Sequence, residues 1–223
     1  MAINRFVDRP TVSVAEYHLA RVAEAGSARH AYFSALVESA GPNAARDIAD
    51  AVHLLCSVHG RHPAIMALAF SMAPKGSVHG WLGRAADAFE RERLYLVRLT
   101  AAVGPLPSTP GAAETEAALV AQRHALEVLA KSERNGCALG AATALVSDWW
   151  PIRRLLDRAA ARVGLECPAS SLPDELSMLE VINHACGSPS SERALAFGGE
   201  QLLLQHRAFL DLLQARAAAR GDW

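Results

Sequence analysis

The chain has 223 residues, about half of them hydrophobic, and a formal net charge of −1, so it can bury one sizeable core. Its interleaved acidic and basic residues give no basic face for nucleic acid, and its longest apolar run, 137–146, is shorter than the ~20 residues that cross a bilayer. Alanine and leucine supply much of the apolar content and aromatic residues make up 6%, a composition that favours helices.

Helical periodicity and turn signals divide the chain into seven to eight predicted helices. Ser13 and Glu16 form a capping box that starts a long first helix, which the pattern extends to Ser39. The other predicted helices are, in chain order, 43–60, 63–72, 77–103, 112–133, 137–163, 173–186 and 191–220. We therefore predict an all-α fold, a single helical-bundle domain over residues 1–223.

Two segments interrupt this pattern. The segment 104–111, GPLPSTPG, predicts a loop that connects two halves of one bundle, although a domain boundary would look similar. Asp148-Trp149-Trp150-Pro151 predicts a kink, or a new helix capped by Ser147 or Asp148, because proline removes a helical hydrogen bond. The paired tryptophans could line a ligand pocket or pack in the core.

The stretch 43–63 carries four potential metal ligands, which are His53, Cys56, His59 and His62. Residues three apart drift by about 60° around a helix, so these four side chains cannot converge on one ion. We predict no metal held by this stretch alone. His59 lies in the middle of the apolar stripe, whereas His53 lies beside Asp50 on a face predicted to meet water.

Two further polar residues, Glu92 and His206, lie on predicted apolar stripes of later helices. A buried carboxylate must be paired, protonated or bound to a cation, and a salt bridge from Glu92 to Arg93 or to an arginine of a neighbouring helix would satisfy it. The pair Gly198-Gly199, two turns before His206, predicts close approach by another helix or a ligand.

If the helices form one bundle, His59, Glu92 and His206 point into a shared interior. Two imidazoles and a carboxylate would suit a metal with an open coordination position, or an acid-base site around a bound small molecule. Alternatively, each is satisfied separately by backbone or by an arginine. A shared site requires His59 and His206 to lie within about 10 Å, and a pocket of ~300 Å³ or more touching all three residues would favour ligand binding.

The competing hypothesis is a non-enzymatic interaction or structural protein whose interior polar groups fix helix register. It predicts a homodimer that associates through the Ala/Gly-rich helix at 137–146. No glycine-rich phosphate loop, His-Glu-x-x-His or Gly-x-Ser-x-Gly motif occurs, so neither a cofactor nor a reaction is predicted. Four scattered cysteines and a polar amino terminus predict a reduced, cytoplasmic protein.

The stretches LLCSVHGRHP and VGPLPSTPG resemble an uncharacterised bacterial all-helical family that has no assigned activity. The succession of long helices also resembles haem-oxygenase-like and TenA-like bundles, or ferritin-like proteins. The chain lacks the Glu-x-x-His motif that ferritin-like di-iron enzymes carry. These resemblances imply a fold and no function.

Overall fold

The computed structural model describes residues 12–222, and over that range the chain forms nine α-helices and no β-strand. The helices are α1 (Val14–Ala25), α2 (Ala31–Glu38), α3 (Ala44–His59), α4 (Ile65–Met72), α5 (Ser77–Ala102), α6 (Ala112–Ala130), α7 (Cys137–Val163), α8 (Glu175–Ala185) and α9 (Pro189–Ala219). The all-α bundle is confirmed, with more helices than the seven to eight predicted. None of the helices in this range is both long and apolar enough to cross a membrane.

The first helix was predicted to span 14–39, and this length is wrong. The segment breaks into α1 and α2, which accounts for the extra helix. The capping box at Ser13 starts α1 as predicted, but Gly26 adopts an extended backbone (φ −74°, ψ 175°) and a 3₁₀ turn follows. The backbone N–H and hydroxyl of Ser27 both donate to the carboxylate of Asp148 on α7. A distant side chain therefore replaces the helical hydrogen bonds at this point.

The predicted interruption at Asp148-Trp149-Trp150-Pro151 is also wrong as a helix boundary, because α7 continues through Pro151. Asp148 does not cap a new helix, since its carboxylate accepts from Ser27 instead. The two tryptophans have separate environments: Trp149 is fully buried in the core, whereas Trp150 is 41% exposed.

The helices α7 and α9 pack closely along the centre of the bundle, and glycines make this approach possible. A Cβ atom at Gly140 would lie 2.0 Å from the backbone oxygen of Leu195, and one at Gly198 would lie 2.0 Å from that of Cys137. The close helix approach predicted for Gly198-Gly199 is confirmed. The same contact buries almost all of 137–146, so this segment is not an exposed surface for self-association, and the homodimer stays a prediction.

We expect Gly140→Ala to lower the free energy of unfolding by about 1–3 kcal/mol, because its methyl group would overlap the Leu195 backbone and separate α7 from α9. Gly80→Ala in α5 is the matched control, since its Cβ would meet nothing closer than Arg84 Nη1 at 3.9 Å. That control should gain up to about 1 kcal/mol from helix propensity. Urea unfolding measures both variants, and equal effects of the same sign would contradict the close contact.

Candidate functional site

The two histidines predicted to share the interior lie next to each other. The ring centroids of His59 on α3 and His206 on α9 are 5.3 Å apart, and each side chain is almost completely buried. The distance condition for a shared site is therefore met for this pair. The His59 ring also contacts the Trp149 indole edge to face, at 5.2 Å between centroids.

His206 is oriented by Asp148, which sequence reasoning did not place in the site. The Nδ1–H of His206 donates to Asp148 Oδ2 at 2.7 Å, and the same carboxylate accepts the two hydrogen bonds from Ser27. The carboxylate thus joins α7, α9 and the turn between α1 and α2. The sequence does indicate that Asp148 is buried, because it lies on the same helical stripe as Leu145 and Ile152.

Burial and hydrogen bonding determine the charges of these groups. Burial, together with the nearby His206, holds the pKa of His59 well below its ordinary value, so His59 is neutral at physiological pH. Burial opposes ionisation of Asp148, but the hydrogen bonds from His206 and Ser27 outweigh it and lower the pKa of that carboxyl. Asp148 is therefore an ionised acceptor facing donors on two other segments.

Glu92 is satisfied separately from the two imidazoles. Both of its oxygens accept from Nη1 of Arg153, at 2.7 and 3.0 Å, and they also accept from Trp149 Nε1 and the Ser170 hydroxyl. The salt bridge expected to an arginine of a neighbouring helix is present, while Arg93 pairs with Glu90 instead. The indole of Trp149 lies between the two groups, since it donates to Glu92 and contacts the His59 ring.

The interior offers little space for a ligand. A cavity of about 10 Å³ touches His59 and His206 and does not include Glu92. This volume is far below the ~300 Å³ expected of a ligand pocket. Among residues 12–222, no three His, Cys, Asp or Glu side chains are arranged to hold a metal ion.

Of the other histidines, His53 and His30 have hydrogen-bond partners within the chain and His62 lies at the surface. His53 Nε2 lies 2.8 Å from the Gly104 carbonyl oxygen, which ties α3 to the loop 104–111, and His30 Nε2 lies 3.0 Å from Asp211. His62 is exposed in the turn after α3. The expectation that Asp50 faces water is wrong, because arginines of α9 cover it completely.

A much larger pocket, which we call the α1/α9 groove, lies between the first and the last helix. Its volume is about 610 Å³. Its lining comprises Val12, Val14, Tyr17, His18, Arg21, Val22, Ala25, Glu192, Arg193, Leu195, Ala196, Gly199, Glu200, Leu203, Leu204 and Arg207. Apolar side chains form most of the wall, while the exposed Tyr17, Arg193 and Arg207 lie at its rim.

His18 lies at the floor of the groove and is 4% exposed. The Thr143 hydroxyl is 2.9 Å from the Leu139 carbonyl oxygen and 2.9 Å from His18 Nε2. A helical threonine donates its hydroxyl proton to the carbonyl four residues earlier, so Nε2–H of His18 donates to Thr143. His18 Nδ1 is then an unprotonated acceptor, and it has no hydrogen-bond partner within residues 12–222.

Burial lowers the pKa of His18 to about 4, so the imidazole is neutral at physiological pH. The sequence analysis does not identify this residue, because it predicts 14–39 as one continuous helix. The stripe of Ala15, His18 and Val22 was visible in the sequence and is the buried face of α1. Gly199 permits the contact, since its Cβ would lie 2.4 Å from His18 Cε1.

Lowering the pH from 7.5 to 5.0 is expected to reduce the free energy of unfolding by about 2 kcal/mol through His18. The folded pKa of about 4 lies below the ordinary 6.5, so the unfolded chain binds the proton first and stability falls as the pH drops below 6.5. His59, whose pKa is also lowered, acts in the same direction. Urea unfolding at both pH values measures the loss, and His18→Gln should remove the His18 share. If His18→Gln lost as much unfolding free energy between the two pH values as the natural chain does, His18 would not be the source of the pH dependence.

The fold and the site together define an all-α helical bundle with a hydrogen-bonded polar interior and a mainly apolar groove between its first and last helices. Residues 22–221 match the family of unknown function DUF6975, and the chain belongs to this family. The family resemblance expected from the sequence, to a helical family with no assigned activity, agrees with this match. No curated protein and no solved structure matches the chain, so its likeness to haem-oxygenase-like, TenA-like or ferritin-like bundles rests on helix pattern alone.

Proposed function

We propose that this protein binds a small organic molecule in the α1/α9 groove. The observation that carries the proposal is the neutral His18 imidazole at the floor, whose Nδ1 has no hydrogen-bond partner among the described residues. Small-molecule sites are typically ~300–1,000 Å³ in volume, largely apolar and supplied with a few fixed polar groups. A groove of about 610 Å³ with an acceptor on the His18 ring at its floor fits that description.

The groove shape and its polar groups describe the ligand. The lining extends over residues 192–207 of α9, which at 1.5 Å per residue makes it roughly 20 Å long. The ligand is therefore an elongated molecule with an apolar body and an N–H or O–H that donates to His18 Nδ1. Arg193 and Arg207 lie at the rim together with Glu192 and Glu200, and the two guanidinium groups can pair with a negative group on the ligand.

A ligand held by His59, Glu92 and His206 in the interior is the weaker candidate. The 10 Å³ cavity beside the two imidazoles is too small for an organic molecule, and the hydrogen bonds of Glu92 are already made within the chain. Self-association is a second competitor, because a second copy of the chain could cover the exposed apolar side chains Tyr17 and Leu204 at the groove. The experiment below separates it from ligand binding.

The test uses 1-anilinonaphthalene-8-sulfonate, a fluorescent probe with two apolar ring systems, one N–H donor and one anionic group. Saturable binding to the full chain is expected, and Ala196→Phe should weaken it at least about tenfold, because the new ring fills the groove. His18→Phe should also weaken it by about tenfold, the equivalent of one lost hydrogen bond. Ala208→Phe, on an exposed position of α9 outside the groove, is the matched control and should bind as the natural chain does.

Two results would contradict the proposal. Equal binding of the probe by Ala196→Phe and Ala208→Phe would mean that the probe binds outside the groove. A dimer of the natural chain in light scattering that becomes a monomer in Ala196→Phe would assign the groove to a second copy. Circular dichroism and urea unfolding of each variant separate loss of binding from loss of fold.

A further inference from the structure

Three side chains that line the interior cavity, each from a different helix, carry a buried polar atom that has no hydrogen-bond partner among the described residues. These atoms are His59 Nδ1 on α3, Gln122 Oε1 on α6 and His206 Nε2 on α9. Each of these side chains is more than nine-tenths buried. Buried polar groups in folded proteins nearly always have a partner, so three of them around one cavity point to a bound molecule.

The size of the cavity limits that molecule. A water needs about 10–15 Å³ of space measured with a water-sized sphere, and the cavity provides about 10 Å³. Apart from Gln205 and Ser27, whose hydroxyl already donates to Asp148, the rest of its lining is apolar, including Leu126, Phe209 and Leu213. A bound water therefore finds its hydrogen bonds at the three unpartnered atoms, and three bonds are the usual number for a buried water.

The proton positions around the cavity fit one water. Asp148 is an ionised acceptor, so Nδ1 of His206 carries the proton that it donates, and the tautomer with this single ring proton has a free lone pair on Nε2. Gln122 Oε1 is also an acceptor. A water can donate to both atoms and accept one hydrogen bond from a proton on Nδ1 of the neutral His59.

We propose that one ordered water occupies this cavity and joins α3, α6 and α9 through His59, Gln122 and His206. The water extends the chain of hydrogen bonds that starts at Ser27 and passes through Asp148 to His206. The two imidazoles that the sequence places on apolar stripes then serve to hold this water, and the site is separate from the α1/α9 groove.

A crystal structure of the natural chain at a resolution better than about 2 Å, with anomalous data collected above the zinc edge, tests the proposal. The expected result is a density peak within hydrogen-bond distance of the three atoms and without anomalous signal. An anomalous peak there would mean that the cavity holds a metal and not a water. Either that peak or a cavity without density would overturn the proposal. Neither result bears on probe binding in the α1/α9 groove.

A matched pair of variants gives a second test in solution. In the natural chain, water-selective nuclear Overhauser spectra should show contacts between the water and the ring protons of His59 and His206. Gln122→Met removes one acceptor and should abolish these contacts. Gln205→Met changes a residue that lines the same cavity without contributing an unpartnered buried atom, and it should keep them. The ¹⁵N shifts should place a proton on Nδ1 of both histidines in the natural chain. A proton on Nε2 of His206, or contacts that persist in Gln122→Met, would contradict the proposed arrangement.

Discussion

Asp50→Ala is expected to lower the free energy of unfolding by about 3–5 kcal/mol, the cost of breaking a buried ion pair from one side. Asp50 is fully buried on α3 and accepts from Arg216 at 2.7–3.2 Å and from Arg220 Nη1 at 2.7 Å. The substitution leaves two guanidinium groups at the end of α9 without their shared carboxylate. Urea or thermal unfolding measures the effect.

Asp87→Ala is the matched control for this experiment, because Asp87 is exposed on α5 and a surface change of this kind is usually worth less than about 0.5 kcal/mol. The double variant Asp50→Ala with Arg216→Met should regain part of the loss, since it removes the guanidinium group left without a carboxylate, whereas Arg220 still pairs with Asp47 and Asp222. A loss for Asp50→Ala no larger than that for Asp87→Ala would mean that water replaces the carboxylate at the arginines.

Asp148→Ala is expected to cost about 3 kcal/mol or more, because it removes the acceptor of three hydrogen bonds within the core. The backbone N–H of Ser27, its hydroxyl and Nδ1–H of His206 would each lose their partner, at about 1 kcal/mol or more for each group. The break between α1 and α2 depends on the same carboxylate. Unfolding experiments measure the total loss.

Hydrogen exchange distinguishes the loss of the Asp148 acceptor from a general loss of stability. The Ser27 amide should exchange faster in Asp148→Ala by a factor larger than that of the other core amides, since its acceptor is gone. Ser147→Ala, the neighbouring position on α7, is the control and should change both readouts little. Unchanged protection of Ser27 would contradict the role assigned to Asp148.

Helix positions could largely be predicted from the sequence because they depend on local information. The observed α7 begins and ends at the residues predicted, and the capping box at Ser13 and Glu16 forms as expected. The break at Gly26 could not be predicted in the same way. Both α1 and α2 bury one face, so the apolar pattern continues across the turn, and the carboxylate that stabilises the turn is 121 residues away in the chain.

The candidate site was predictable in part, because local periodicity also shows which polar residues lie on apolar stripes. His59 and His206 stand out because each is a polar residue on an apolar stripe, and the structure brings their rings together. Asp50 was assigned to the water-facing side because its partners belong to α9. His18 was missed because the register of the first helix was misread, and the α1/α9 groove is visible only when two helices distant in the chain are adjacent.

By itself the sequence determined the all-α class, most helix boundaries and the presence of polar groups that had to be buried. These follow from side-chain periodicity and from end signals within a few residues. Only the tertiary structure decided which polar groups meet, namely Asp148 with His206, Arg153 with Glu92 and Arg216 with Asp50. It also decided that the large pocket lies at the surface, between the first and last helices. The physical reason is that partners and cavities depend on how separate helices pack together, which local periodicity does not specify.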